Sequence, residues 1–164
     1  MVAVQPIIPC LWFDTQAEEA ARFYTGIFKN SRIGTIARYG EAGREAHGGT
    51  PGKVMVVEFE LNGQTFTALN GGPHFKFNEA ISFVVDCQTQ EEVDAFWEKL
   101  TSNGGQESQC GWLKDRFGLS WQITPRILIE LLQDKDPVKS QRVMQAMMQM
   151  KKIDIQAAKD AYNG

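Results

Sequence analysis

Side chains able to do covalent or metal chemistry are scarce in this sequence. Its 164 residues include two histidines, His47 and His74, and both lie in glycine-rich stretches. The three cysteines, Cys10, Cys87 and Cys110, make no C-x-x-C pair and are odd in number. They read as reduced thiols packed as small core residues, not as a disulfide framework, a metal knuckle or a nucleophile. Glu79 and Asp115 have no evident partner that would tune a general acid or base, and are expected to be solvated surface carboxylates. Amides and aromatic rings are what remain. Asn70 leads into Gly71-Gly72-Pro73, where exposed backbone amides could hold an anion or a carbonyl, or simply turn the chain. Phe75 and Trp112 stand in a loop and at a strand edge, positions where rings line clefts for small organic ligands.

The elements that must position these groups are visible as a repeat. Displacing the sequence by 73 residues lays Glu18-Glu19 on Glu91-Glu92 and Phe23-Tyr24 on Phe96-Trp97, with Ile8, Leu11 and Ile27 on Ile81, Val84 and Leu100. In the first copy, Ile7 to Phe13 reads as a buried strand. Asp14 or Thr15 then caps a helix whose apolar positions Ala20, Phe23, Tyr24 and Ile27 recur at helical spacing. Ser31 to Tyr39 reads as a strand, Gly40 to Gly52 as a glycine-rich excursion, and Val54 to Leu61 as a strand entering Asn62-Gly63. That dipeptide is the signature of a two-residue hairpin into Gln64 to Leu69. The second copy runs Ala80 to Val85 as strand, Thr89 to Leu100 as helix with Asn103-Gly104-Gly105 as its stop, then a hairpin around Asp115 to Gly118. The fold class is therefore α+β: two tandem βαβββ modules, about residues 5–75 and 76–125, each a curved sheet with a helix on one face.

A third section, residues 126–164, has no counterpart in the first copy. Ile127 to Gln133 reads as helical, Asp136-Pro137 supplies an N-cap and a first helical residue for a helix to about Met150, and Asp154 to Tyr162 makes another. Ile127, Leu128, Leu131 and Leu132, with Val143, Met144, Met147, Met148 and Met150, form more apolar surface than one small sheet edge covers. The expectation is a homodimer with these helices in its interface, the alternative being a tail that folds back on its own modules.

Composition narrows the function classes. Apolar residues are 43% and charged residues 23%, as in an ordinary folded domain. The net charge of −3 gives no positive field to hold a phosphate backbone, so nucleic acid is not an expected partner. The longest apolar runs, such as Val54 to Val57, fall far short of the roughly 20 residues that a bilayer requires. The start Met1-Val2-Ala3-Val4-Gln5 has no basic stretch ahead of an apolar one, which leads to the expectation of a cytoplasmic protein.

Three segments carry a family resemblance: Phe13 to Phe28 (FDTQAEEAARFYTGIF), Ala68 to Phe77 (ALNGGPHFKF) and Cys110 to Pro125 (CGWLKDRFGLSWQITP). They resemble the PhnB-like branch of the glyoxalase, bleomycin-resistance and extradiol-dioxygenase (vicinal oxygen chelate) superfamily, whose members often bear a 3-demethylubiquinone methyltransferase label. The resemblance extends over nearly the whole chain and implies paired βαβββ modules. In metal-dependent members, the opening strand of each module gives a His or Gln ligand and the closing strand a Glu. Carried over here, those positions are Pro9, Asn70, Ser82 (or Ala80) and Gln122, a set with neither carboxylate nor imidazole. The resemblance thus implies a lost metal site and no cofactor. Asn70, Ser82 and Gln122 are expected to line the inside of a cup, with Phe75 and Trp112 as aromatic walls, while Trp12 and Trp121 fall by period-two counting beneath the helices.

The expected function is binding of a small organic molecule of unknown identity. The alternative is an atypical enzyme of the same superfamily, an isomerase, lyase or dioxygenase-like protein. Methyl transfer ranks below both, since the sequence lacks a glycine-rich strand-to-helix turn for S-adenosylmethionine.

Overall fold

The computed structural model describes residues 7–164, so residues 5 and 6 of the expected first module lie outside the described residues. The chain divides into two compact units, one up to Lys76 and one from Phe77 to Gly164. The first unit contains β1 (Cys10–Phe13), α1 (Ala17–Ile27), β2 (Arg32–Arg38), a single helical turn α2 (Arg44–His47), β3 (Val54–Leu61) and β4 (Gln64–Asn70). The second contains β5 (Ser82–Cys87), α3 (Gln90–Thr101), β6 (Gln106–Glu107), β7 (Trp112–Lys114) and β8 (Ser120–Pro125), followed by α4 (Arg126–Leu132), α5 (Pro137–Met147) and α6 (Ile155–Asn163).

Each unit folds its βαβββ stretch into one mixed sheet of the same order, β1-β4-β3-β2 and β5-β8-β7-β6. The opening strand pairs in parallel with the closing strand, and the other pairings are antiparallel. The repeat read from the sequence is therefore a repeat of topology. The β3–β4 hairpin turns where expected: Asn62 and Gly63 have φ of 49° and 81°, the two left-handed residues of a type I′ turn.

Burial explains which face of each sheet is covered. In the first unit Leu11, Phe13, Val57, Phe59, Phe66 and Ala68 pack with Ala17, Ala20, Ala21 and Tyr24 of α1, and all are buried. In the second, Cys87, Leu113, Trp121 and Ile123 pack with Val93, Trp97 and Leu100 of α3. The α3 N-terminus is capped reciprocally: Thr89 Oγ1 accepts from Glu92 N at 3.2 Å, and the Glu92 carboxylate accepts from Gln88 N at 2.7 Å. At α1, by contrast, neither Asp14 nor Thr15 is the cap. The N-cap position is Gln16, and its side chain makes no capping bond.

The tail folds back on the second unit. Leu128, Val143, Ile153 and Ala158 form a buried cluster with Leu131, Leu132, Met147, Met150 and Tyr162 packed against it. Asp136 caps α5 with Pro137 behind it, and Asp154 caps α6, both accepting backbone N–H groups as the sequence implied. Much of the apolar stripe thus finds cover within the chain, while Ile129, Val138, Met144 and Met148 remain exposed.

The cysteines occupy contrasting environments. Cys10 is exposed and Cys87 is buried, its thiol pushed up to about 12 by burial and by the nearby Glu92 and Asp86 carboxylates. Iodoacetamide treatment of the native protein near pH ~8 is expected to alkylate Cys10 and spare Cys87 until the protein unfolds. Peptide mass mapping that finds Cys87 modified first would contradict this burial.

Candidate functional site

Register decides which of the expected residues share a face. In the second unit Gln122 lies opposite Val84 on one side and Trp112 on the other. Ser82 lies opposite Ser120, and Lys114 lies opposite Ser120 from the other side. Because strand side chains alternate, Ser82, Val84, Gln122, Trp112 and Lys114 share the face away from α3. The structure therefore brings together three of the five expected site residues, Ser82, Gln122 and Trp112.

The polar centre of this face is fixed. Gln122 Nε2 donates to Ser82 Oγ at 2.9 Å, which orients the amide and leaves its carbonyl oxygen and the Ser82 O–H for other partners. Val84, 61% exposed, adds an aliphatic surface. Lys114 pairs with Glu79, and the lysine ammonium holds that carboxyl below the usual carboxylate range. Ser120, between Ser82 and Lys114, is buried with its hydroxyl unpartnered among the described residues.

Asn70 is placed elsewhere. It lies opposite Phe13 in the parallel pairing, on the face that α1 covers. Its Oδ1 accepts from Ala17 N at 2.8 Å and its Nδ2 donates to Val54 O at 3.0 Å. Tyr39 OH donates to its backbone carbonyl. Asn70 is thus the capping group of α1, supplied from the far strand, instead of an amide facing an open cup.

Trp12 is displaced in the opposite sense. It lies opposite Leu69, on the face away from α1, where its indole N–H donates to Gly72 O at 2.9 Å. Its ring meets Phe75 edge-on at 4.9 Å between centroids, and Phe75 itself is 64% exposed. Gly71 is required beneath this ring, since a Cβ there would come within 2.2 Å of it. Trp121, as expected, is buried beneath α3.

The displacement of Trp12 has a simple cause. Phe13 lies four residues before the first residue of α1, whereas Cys87 lies three before that of α3. The 73-residue offset that aligns the helices is therefore wrong by one for the strands that precede them, and a one-residue slip moves every side chain to the other face. On the open face of β1 stand Cys10 and Trp12, while Pro9 falls on the opposite alternation.

Asp115 is the largest departure from expectation. It is 3% exposed and accepts hydrogen bonds from Phe117 N at 2.8 Å, Leu119 N at 3.1 Å and Trp121 Nε1 at 2.9 Å. This carboxylate knits the β7–β8 turn to the core. Only the D-x-x-G turn signal hinted at that role, because an Asp that opens a turn can accept from the backbone ahead of it.

The residues do not fit a divalent metal. On the open faces, the opening and closing strands present Cys10, Trp12, Thr67, Leu69, Ser82, Val84, Gln122, Thr124 and a single carboxylate, Asp86, which is ion-paired with Arg126; no imidazole stands among them. Among the described residues no cluster of three or more His, Cys, Asp or Glu is placed to hold an ion. A separate groove of about 490 Å³ in the second unit, lined by Gln90, Asp94, Lys152 and Asp154 among others, is knitted together by its own bonds. Gln90 Nε2 donates to Asp94, whose carboxylate also pairs with Lys152 at 2.6 Å.

Residues 5–124 match the family model described as 3-demethylubiquinone-9 3-methyltransferase. Among solved structures, a PhnB protein from Bacillus cereus that bears the same methyltransferase label is 38% identical, with a TM-score of 0.65. That match covers 74% of this chain and 99% of the Bacillus protein. Protein PA1353 from Pseudomonas aeruginosa is 18% identical with a TM-score of 0.60, over 75% of this chain and 98% of its own. A glyoxalase/bleomycin resistance protein from Albidiferax ferrireducens T118 is 16% identical with a TM-score of 0.45, over 71% and 94%. Comparison with curated proteins gives no match.

Proposed function

The chain belongs to the 3-demethylubiquinone-9 3-methyltransferase family, the PhnB-like branch of the glyoxalase and bleomycin-resistance superfamily, and on that premise we propose that it binds a small organic molecule without a divalent metal. The binding face is the one that carries Ser82, Gln122 and Trp112. The observation behind this reading is the row Val84, Gln122, Trp112 across three adjacent strands, an aliphatic group, an oriented amide and an indole side by side. Such a row suits a flat ligand that stacks on the indole and exchanges hydrogen bonds with the amide and the Ser82 hydroxyl. Nothing in it supplies a nucleophile or a base, so the reading is one of binding.

The methyl-transfer activity in the family's description is not supported by the strand-to-helix turns. The turns into α1 and α3, Asp14-Thr15-Gln16 and Gln88-Thr89, lack the glycines that let a backbone approach a nucleoside cofactor, β8 runs directly into α4, and the one connection that holds glycines, Gly40 and Gly43 between β2 and α2, opens only a single helical turn. Gly71-Gly72 follows a strand but opens no helix.

Ligand-observed NMR with a fragment set of flat aromatic amides and phenols tests the reading. Several fragments are expected to bind the wild-type protein. Trp112→Ala and Gln122→Ala should each weaken the best of them about tenfold or more, the scale of one lost stacking or hydrogen-bond partner. Fragments that bind with the same affinity in both variants would place the ligand elsewhere.

A further inference from the structure

The helices after Pro125 lie beyond the matched family segment, which ends at residue 124. The link between α5 and α6 makes a specific attachment to the binding face proposed above. Met150 O accepts from Cys110 N at 2.8 Å and Lys151 O accepts from Gly111 N at 2.7 Å. Cys110 and Gly111 both adopt left-handed backbone, with φ of 57° and 83°. For a cysteine this is an unfavourable conformation that neighbouring structure must hold. Ile153, 1% exposed, packs so closely on Gly111 that a Cβ there would sit 3.0 Å from its Cγ1. The next residue is Trp112.

The link is itself tied down by one side chain. Gln90, the first residue of α3, donates from Nε2 to Ile153 O at 3.0 Å and accepts at Oε1 from Ile155 N at 2.8 Å. Gln90 thus holds the link, and the link holds the turn from which Trp112 enters its strand. We propose that residues 150–155 act as a strap that sets the position of the Trp112 indole on the binding face, with Gln90 as a positioning residue. The proposal rests on the ligand reading only for its consequence; the positioning itself can be measured without a ligand.

The test uses full-length protein labelled with 5-fluorotryptophan, the Trp112 line being assigned from Trp112→Phe. In Gln90→Ala the Trp112 ¹⁹F line is expected to shift or broaden while the Trp12 line stays in place. Amide exchange at Cys110 and Gly111 should accelerate about tenfold. Ile155→Pro supplies a second variant, since it deletes one of the two Gln90 bonds at a helix position that tolerates proline. It should move the same line in the same direction. A Trp112 line unmoved in both variants, with or without faster exchange, overturns the strap. The probe 8-anilinonaphthalene-1-sulfonate separates the two claims. If the variants move the Trp112 line but saturating probe leaves that line unchanged in the wild type, the strap stands and the aromatic-ligand reading fails.

Discussion

Replacing Asp115 with alanine is expected to destabilise the second unit more than any change on its open face. The substitution strands three donors, Phe117 N, Leu119 N and Trp121 Nε1, in a place where the carboxylate they served was 3% exposed. A buried donor left unsatisfied costs about 1–3 kcal/mol, and some of the three will find water once the turn loosens, so a loss of about 3–4 kcal/mol follows. Differential scanning calorimetry should show a melting temperature lower by roughly 10 °C. Asp115→Asn should lose less, because its one remaining carbonyl oxygen can still accept from the two backbone groups while its NH₂ opposes the indole N–H. Adding Trp121→Phe to Asp115→Ala should then cost less than the sum of the two single changes, since they remove the same bond. Strict additivity would mean that the carboxylate does not serve the indole.

The second large effect is expected at Asn70, and its importance lies in what it leaves alone. Asn70→Ala removes the cap of α1 and the bond to Val54 O together, a loss of about 2 kcal/mol and roughly 5 °C. Asn70→Asp should recover part of it, because a carboxylate can accept from Ala17 N and its charge favours a helix N-terminus. Neither variant should change fragment affinity at the second unit's face. Gln122→Ala should do the reverse, weakening binding with little effect on melting. Paired thermal and binding measurements on the two variants separate these roles, and a loss of binding in Asn70→Ala would return Asn70 to the site.

The contrast between these two amides shows what can be read from the chain alone. Both stand on closing strands, and both were expected to face the same way. Periodicity and turn signals were enough for the repeat, for the Asn62-Gly63 hairpin and for the Asp136 and Asp154 caps, since each depends on neighbours within a few residues. Facing direction depends on register between distant strands. The turn before α1 is one residue longer than the turn before α3, which brought Trp12 out from under the helix, while Asn70 lies beneath it through its pairing opposite Phe13. A cap that comes from 53 residues away leaves no local signature at Asp14 or Thr15. Asp115 was legible as a turn residue but not as a buried one, because its third donor comes from a tryptophan ring in the next strand. The tail's periodicity gave its helices correctly. What its apolar stripe packs against was open, and the answer is a core shared among α4, α5, α6 and Ile153.

In the proposed binding mode a ligand is held by side chains of the second sheet and not by a metal. The affinity of the best-binding fragment, measured by calorimetry on chelator-washed full-length protein with and without saturating Zn²⁺ or Mn²⁺, tests it most directly. The predicted result is one dissociation constant under all three conditions, weakened about tenfold or more by Trp112→Ala. Binding that appears only when the metal is added would contradict it.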